Sequence, residues 1–203
     1  IGFCLVGSEM CIRDRLIDCE QRGGLVSHRR LASGEEVPYE INISWWSAMA
    51  DGGIDPAYLQ RERFLLTHLL MLVLPGVPAF YLPAILATPN DLARFRISGH
   101  RRDLNRPQFK ASTLERRLAD PESDATAVLT VMNQALARRA ELPALHPDAD
   151  MELLSPDRVD RVVLRRTLDG QSLVAVHNMT TSRLTLDPAR LGGCLLYTSD
   201  AAD

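Results

Sequence analysis

"LLTHLLMLVLPGVPAFYLPAILA", Leu65 to Ala87, is the stretch on which the fold turns. It is apolar enough to suggest a membrane span, which needs about 20 uninterrupted apolar residues. Pro75, Gly76, Pro78 and Pro83 interrupt it, and His68 lies inside it. Proline has no amide to donate and clashes with the preceding helical turn. The segment therefore reads as the end of a helix, a tight turn at Pro75-Gly76 and a buried strand, "VPAFYL". An all-apolar strand directly after an amphipathic helix is what a parallel α/β sheet or barrel produces, because both strand faces are covered.

Outward from this stretch the pattern stays regular. Asp55 and Pro56 supply the cap and first turn of the helix that runs to about Val73, with Leu59, Leu66, Leu69 and Leu70 on its apolar face. The breaker Asp51-Gly52-Gly53 separates that helix from "VPYEINISWW", Val37 to Trp46, which holds both tryptophans and the lone carboxylate of Glu40. This second stretch reads either as a buried strand with one awkward charge or as a binding loop. Before it, "LIDCEQR" is the tail of a helix stopped by Gly23-Gly24, "LVSHRR" a short strand and "LASGEE" a polar loop. After Ala87, residues 88–121 form a long polar excursion, rich in Pro and Arg, of the kind that usually serves function. Residues 123–142 are a helix capped by Ser123 or Asp124, apolar at Ala125, Val128, Leu129, Met132 and Leu136, and stopped by Pro143. The period then changes to two. "RVVLRRTL", a type I′ turn at Asp169-Gly170, "SLVAVHNM" and "SRLTLD" read as an antiparallel meander. The pattern is the end of an α/β barrel, residues 16–147, followed by a small antiparallel β domain, residues 148–193.

Composition narrows the function. The 203 residues are 46% hydrophobic and 24% charged with a formal net charge of -3, the makeup of a globular protein without a polyelectrolyte face. The doublets Arg29-Arg30, Arg101-Arg102, Arg116-Arg117, Arg138-Arg139 and Arg165-Arg166 are balanced by nearby acids, which argues against a nucleic-acid partner. Of the 23 basic residues only Lys110 is a lysine, a usage that fits a GC-rich bacterial genome. The ends differ from this background: "VGSEMCIRDR" and "CLLYTSDAAD" back-translate into the two strands of a transposase mosaic-end sequencing adapter. Residues 1–15 and 194–203 are therefore expected to be adapter-derived, and the gene is expected to extend beyond both. Discounting Cys4, Cys11 and Cys194 leaves Cys19, which gives no disulfide framework or zinc spacing and suits a reducing cytoplasm. His28, His68, His100 and His146 lack ligand spacing, so no metal or other cofactor is expected.

Three blocks take the reading further: "PYEINISWWSAM" (Pro38 to Met49), "LPGVPAFYLPAILATPND" (Leu74 to Asp91) and "RRDLNR" (Arg101 to Arg106). In this order and spacing they resemble the sucrose phosphorylase subfamily of the α-amylase clan, glucosylglycerate phosphorylases included. The resemblance implies the C-terminal part of a (β/α)8 barrel, with the second block as its eighth strand and following loop. It also implies retaining phosphorolysis, in which a carboxylate takes the glucosyl group and phosphate then attacks the glucosyl-enzyme. The family's nucleophile, acid/base and transition-state-stabilising carboxylates would all precede Leu16, so no catalytic residue is expected within this chain.

Binding residues carry over position by position. Tyr39 matches the family tyrosine that helps hold phosphate, where a phenolic hydroxyl donates without adding charge. Glu40 stands where glucosylglycerate-type members carry Glu and sucrose-cleaving members Gln, which favours glucosylglycerate over sucrose. Arg102 matches the arginine that grips glucosyl hydroxyls with a planar fork, although Arg101 replaces the usual glycine beside it. The alternatives are a core aromatic, a solvated loop carboxylate and a surface doublet. On the family's pattern Val37 to Glu40 is the mobile tip of an acceptor loop, and Ile41 to Trp46 its apolar anchor. Asp103, Asn105 and Arg106 read as bracing for the Arg102 loop, Trp45 and Trp46 as packing, and His177 as a structural strand residue. Expected partners are a small glucoside and inorganic phosphate, with neither nucleic acid nor membrane. A clan hydrolase that uses water and a non-catalytic amylase-like binding protein are the competing functions.

Overall fold

A computed structural model describes residues 9–51, 56–185 and 187. In chain order the elements are α1 (Glu9–Gln21), β1 (Leu25–Arg30), β2 (Glu36–Asn42), α2 (Trp45–Ala48), α3 (Ala57–Val73), α4 (Leu82–Ile85) and α5 (Leu92–Ser98). A 3-10 turn (Arg101–Leu104), α6 (Ala111–Ala119), α7 (Asp124–Glu141), a second 3-10 turn (Pro143–Leu145), β3 (Asp150–Leu153), β4 (Arg161–Leu168) and β5 (Gln171–Asn178) follow. The chain divides into two units, residues 1–64 with 81–129, and residues 65–80 with 130–203.

In the first unit, α1 ends where expected. Gly23 adopts φ +75, its amide bonds to the Glu20 carbonyl, and the Gly24 amide bonds to that of Cys19. A Cβ at Gly24 would lie 2.4 Å from Cys19 Sγ and 2.9 Å from its carbonyl, so only glycine fits there. Residues 12–15, read as adapter, continue this helix and are exposed. The stretch expected as a mobile tip is instead strand: β1 and β2 form an antiparallel hairpin, with register Leu25↔Asn42 through Arg30↔Glu36. Strand residues Val37, Tyr39 and Ile41 favour the pleat, and proline is tolerated on a two-stranded edge. Ser44 then caps α2, accepting from the Ser47 amide at 3.1 Å. Trp46 is buried edge-on against Phe64, ring centroids 5.3 Å apart, while Trp45 is about half exposed. The 88–121 excursion is not structureless. Asp91 accepts from the Arg94 amide and starts α5, and Gly99, at φ +68, ends it.

Helix α3 begins at Ala57; the expected cap at Asp55 lies outside the described residues. Its buried face is Phe64, Leu65, His68, Leu72 and Val73, rotated from the leucines expected to form it. In α7 the cap is Ser123, whose Oγ accepts from the Thr126 amide at 3.1 Å. Ala125, Val128 and Met132 are buried as expected, whereas Leu136 is substantially exposed.

In the second unit a three-stranded antiparallel sheet runs in the order β3-β4-β5. Asp169 and Gly170 both take positive φ, +50 and +78, as a type I′ turn requires. Val73, Ala144, Leu145, Leu164 and Leu173 form its core cluster. Strand β3 was not read from the sequence, and "SRLTLD" is not a strand at residues 183–185 or 187. Nor is the expected strand over Val77 to Leu82. Residues 77–81 lack a strand ladder, and Val77 is 82% exposed. A parallel strand is made by neighbours on its edges, and none of the described residues supplies them.

Among the described residues Arg166 is the largest fully buried side chain. It donates from Nε to the carbonyl of Asp150 (3.2 Å), from Nη1 to Val73 (2.6 Å), and from Nη2 to His146 (2.8 Å) and Ala149 (2.9 Å). Burial, and then the nearby Arg139 guanidinium, lower its pKa. Arg139 itself donates to the carbonyls of Leu72 and Gly76 at the end of α3, where the helix dipole favours a cation.

Candidate functional site

The hairpin and the Arg101–Leu104 turn place one cluster of polar side chains together in the first unit. In the β1/β2 ladder Ser27 pairs with Glu40 and His28 with Pro38, so Tyr39 is the extra residue of a β-bulge. A bulge bends its strand and re-aims the side chains around it. Glu40 meets Arg102 across 62 residues of sequence: Arg102 Nε donates to Oε1 at 3.0 Å and to Oε2 at 3.4 Å. Tyr39, 61% exposed, lies apart from this pair and under the Arg29 guanidinium, 5.4 Å from its ring centre. Two of the three expected binding residues are therefore brought into contact, and no described contact joins Tyr39 to them.

The neighbours of Arg102 fix its backbone. Arg101 Nη1 donates to the Val26 carbonyl at 2.6 Å and so ties the turn to β1. No glycine-only backbone is needed at Arg101, because positive φ begins elsewhere in this loop, at Gly99. Asp103 accepts from Arg94 Nη2 at 3.3 Å. Its carboxyl pKa is lowered, first by a hydrogen bond from Ser98 and then by Arg94, despite an opposing contribution from burial.

Asn90, to which the sequence reading gave no role, is the hub of this unit. Its Oδ1 accepts from the Ser44 amide at 2.7 Å, its Nδ2 donates to the Gly23 carbonyl at 2.9 Å, and its own amide donates to Ser47 Oγ at 3.0 Å. One side chain thus pins both the entry to β1 and the exit from β2. The Asp91 amide donates to the Leu104 carbonyl at 2.7 Å, which joins this loop to the Arg102 turn. The only local signal for this role was "TPND", whose residue types favour caps and turns.

Other chemistry is sparse. An apolar cavity of about 360 Å³ in the second unit is walled by Leu69, Leu72, Val131, Ala135 and Val174, with His177 among its lining. His177 Nε2 is buried with no partner among the described residues, and burial lowers its pKa. Cys19 is a buried thiol whose pKa is raised by burial and then by Glu20 and Asp18, the opposite of a reactive thiolate. Among the described residues no three His, Cys, Asp or Glu side chains gather as metal ligands, and no helix is long and apolar enough to cross a membrane.

No protein-family model matches the chain. Over 144 residues it is 37% identical to the glucosylglycerate phosphorylase of Allomeiothermus silvanus, covering 70% of this chain and 26% of that protein. The chain belongs with the glucosylglycerate and sucrose phosphorylases. Another family member, the glucosylglycerate phosphorylase of Escherichia coli, is 28% identical over 162 residues, 79% of this chain and 29% of that protein. The sucrose phosphorylase of Streptococcus mutans is 23% identical over 135 residues, 66% of this chain and 25% of that protein. The chain thus spans about a quarter of the length of the family members it matches. Among solved structures, the sucrose 6F-phosphate phosphorylase of Thermoanaerobacter thermosaccharolyticum aligns with TM-score 0.67 at 18% identity, over 87% of this chain and 34% of that one. That likeness fixes the fold as α/β, the C-terminal part of a (β/α)8 barrel followed by a small antiparallel β domain.

Proposed function

We propose that the full-length protein is a retaining α-glucoside phosphorylase that moves a glucosyl group from a small glucoside to phosphate, with glucosylglycerate its first substrate and sucrose its second. The observation that carries this reading is the grading among relatives. Glucosylglycerate phosphorylases match at 37%, 28% and 32% identity, against 23% and 26% for sucrose phosphorylases. Glu40 adds to it through the family resemblance, since glucosylglycerate-type members carry Glu where sucrose-cleaving members carry Gln.

In this reading the reaction needs no cofactor. A carboxylate attacks the glucosyl anomeric carbon while an acid protonates the departing oxygen. Phosphate then attacks the same carbon and expels the carboxylate, so two inversions give net retention. We assign these groups, and the stabilising third carboxylate, to the part of the family's length that this chain does not span. The chain's own residues would bind. Arg102 spans two vicinal glucosyl hydroxyls, Glu40 accepts from the glycerate hydroxyl, and the Tyr39 hydroxyl donates to phosphate beside Arg29. The buried, unreactive Cys19 is in keeping with a reducing cytoplasm.

The test is glucose 1-phosphate formation from glucosylglycerate and from sucrose by the full-length protein, wild type and Glu40→Gln. The proposal expects a preference for glucosylglycerate that shrinks in the variant. A preference for sucrose, or an unchanged ratio, would remove Glu40 from acceptor choice.

A further inference from the structure

We infer that Glu40 is a positioning residue for Arg102, holding its guanidinium by Nε so that both Nη groups face the glucosyl site as an open fork. This rests on the reading of Arg102 as the sugar-binding arginine and extends it. The contact is one-sided: Nε alone meets both Glu40 oxygens, at 3.0 and 3.4 Å. Neither Nη group has a described partner, and the Arg102 side chain is 56% exposed.

Both ends of the tether are fixed. Arg101 on the Val26 carbonyl and Asp103 on Arg94 hold the backbone either side of Arg102. Glu40 is held by its ladder partner Ser27, with the bulge at Tyr39 before it. An arginine hung from such a base has several rotamers, and a sugar would have to order it on binding unless something already has. The fork is also the right edge to leave open: two parallel N–H groups match two neighbouring oxygens, whereas Nε presents one.

An ion pair this exposed adds little to stability, so its consequence falls on binding. It also neutralises Glu40, which would otherwise repel an arriving phosphate. Glu40 thereby has two separable tasks. Glutamine keeps an oxygen that accepts from Nε but loses the charge, and alanine loses both.

The experiment measures glucose 1-phosphate affinity by calorimetry, in the full-length protein, for wild type, Glu40→Gln, Glu40→Ala, Arg102→Ala and the Glu40→Ala/Arg102→Ala double variant. Glu40→Ala is expected to weaken binding about three- to tenfold, the effect of leaving one rotamer-rich side chain to be ordered. Glu40→Gln is expected to bind nearly as wild type does, and Glu40→Ala to cause no further loss once Arg102 is gone. The 15N signal of the Arg102 Nε–H should exchange faster with water in Glu40→Ala, a readout independent of turnover. Wild-type affinity in Glu40→Ala, or losses that multiply in the double variant, would overturn the inference. A wild type that binds glucose 1-phosphate with this pattern yet forms none from any glucoside would refute the phosphorylase reading and leave the positioning role standing. A wild type that does not bind it would end both.

Discussion

Replacing Arg166 with methionine tests whether a guanidinium saturated by carbonyls holds the second unit together. Its four acceptors come from the end of α3, the loop at His146 to Ala149 and strand β3, so one side chain joins three segments. Methionine fills much of the volume but donates nothing. Stripping a buried acceptor of its donor costs about 1–3 kcal/mol, so four would cost about 4–12 kcal/mol if none found another partner. The variant also escapes the cost of burying the charge, several kcal/mol, which offsets part of that loss. We expect a net loss of about 3–5 kcal/mol, a large share of a typical domain's 5–15 kcal/mol. Lysine should fail nearly as badly, since a compact ammonium with three donors cannot span four acceptors on three segments. Urea unfolding read by hydrogen exchange across residues 161–178 measures the loss in that unit. A loss below about 1 kcal/mol in Arg166→Met would refute the reasoning, because it would mean that these carbonyls are satisfied without the guanidinium.

Three further outcomes follow from the same geometry. Asn90→Ala should cost about 1–3 kcal/mol and speed exchange of the Ser44 amide, whereas Asn90→Asp should keep Ser44 protected and lose only the bond to Gly23. His177 has a pKa held by burial below its ordinary 6.5, so the unfolded chain takes up its proton first. Stability should therefore be full above about pH 6.5 and fall as pH drops toward the lowered folded value. Urea midpoints compared between wild type and His177→Gln should show the variant falling less over that range. Tyr39→Phe in the full-length protein should lower kcat/KM for phosphate about tenfold or more, the loss of one hydrogen bond to a charged group, and should leave thermal stability nearly unchanged because the ring is exposed. Equal loss of both would make Tyr39 a packing residue.

What the sequence disclosed was local. The stop at Pro143, the left-handed Gly23 and the Asp169-Gly170 turn each depend on a few adjacent residues and stand as read, and of the two caps read for α7, Ser123 and Asp124, it is Ser123 that accepts the bond. The short helices inside 88–121 were missed because Asp91 starts α5 over only seven residues, too few to show a period. Strand β3 is four exposed residues, and its state is set by pairing with β4 rather than by its own pattern. The apolar run at 77–81 failed as a strand for the converse reason, since its pattern is right but its ladder partners are not among the described residues. Arg165-Arg166 read as one doublet balanced by nearby acids, yet alternation along β4 separates the two. Arg165 pairs with Glu152, while Arg166 shares its face with Val162 and Leu164 and enters the core. At the candidate site, Tyr39, Glu40 and Arg102 were singled out one at a time through family resemblance. The contact between Glu40 and Arg102 was not, because a pairing across 62 residues leaves no local signature.

In the proposed reaction phosphate, and not water, takes the glucosyl group. This is tested most directly by incubating the full-length protein with glucosylglycerate at increasing phosphate and measuring glucose 1-phosphate and glucose separately. Glucose 1-phosphate should form in proportion to glycerate released, at a rate that rises and saturates with phosphate. Free glucose released at a rate indifferent to phosphate would contradict it.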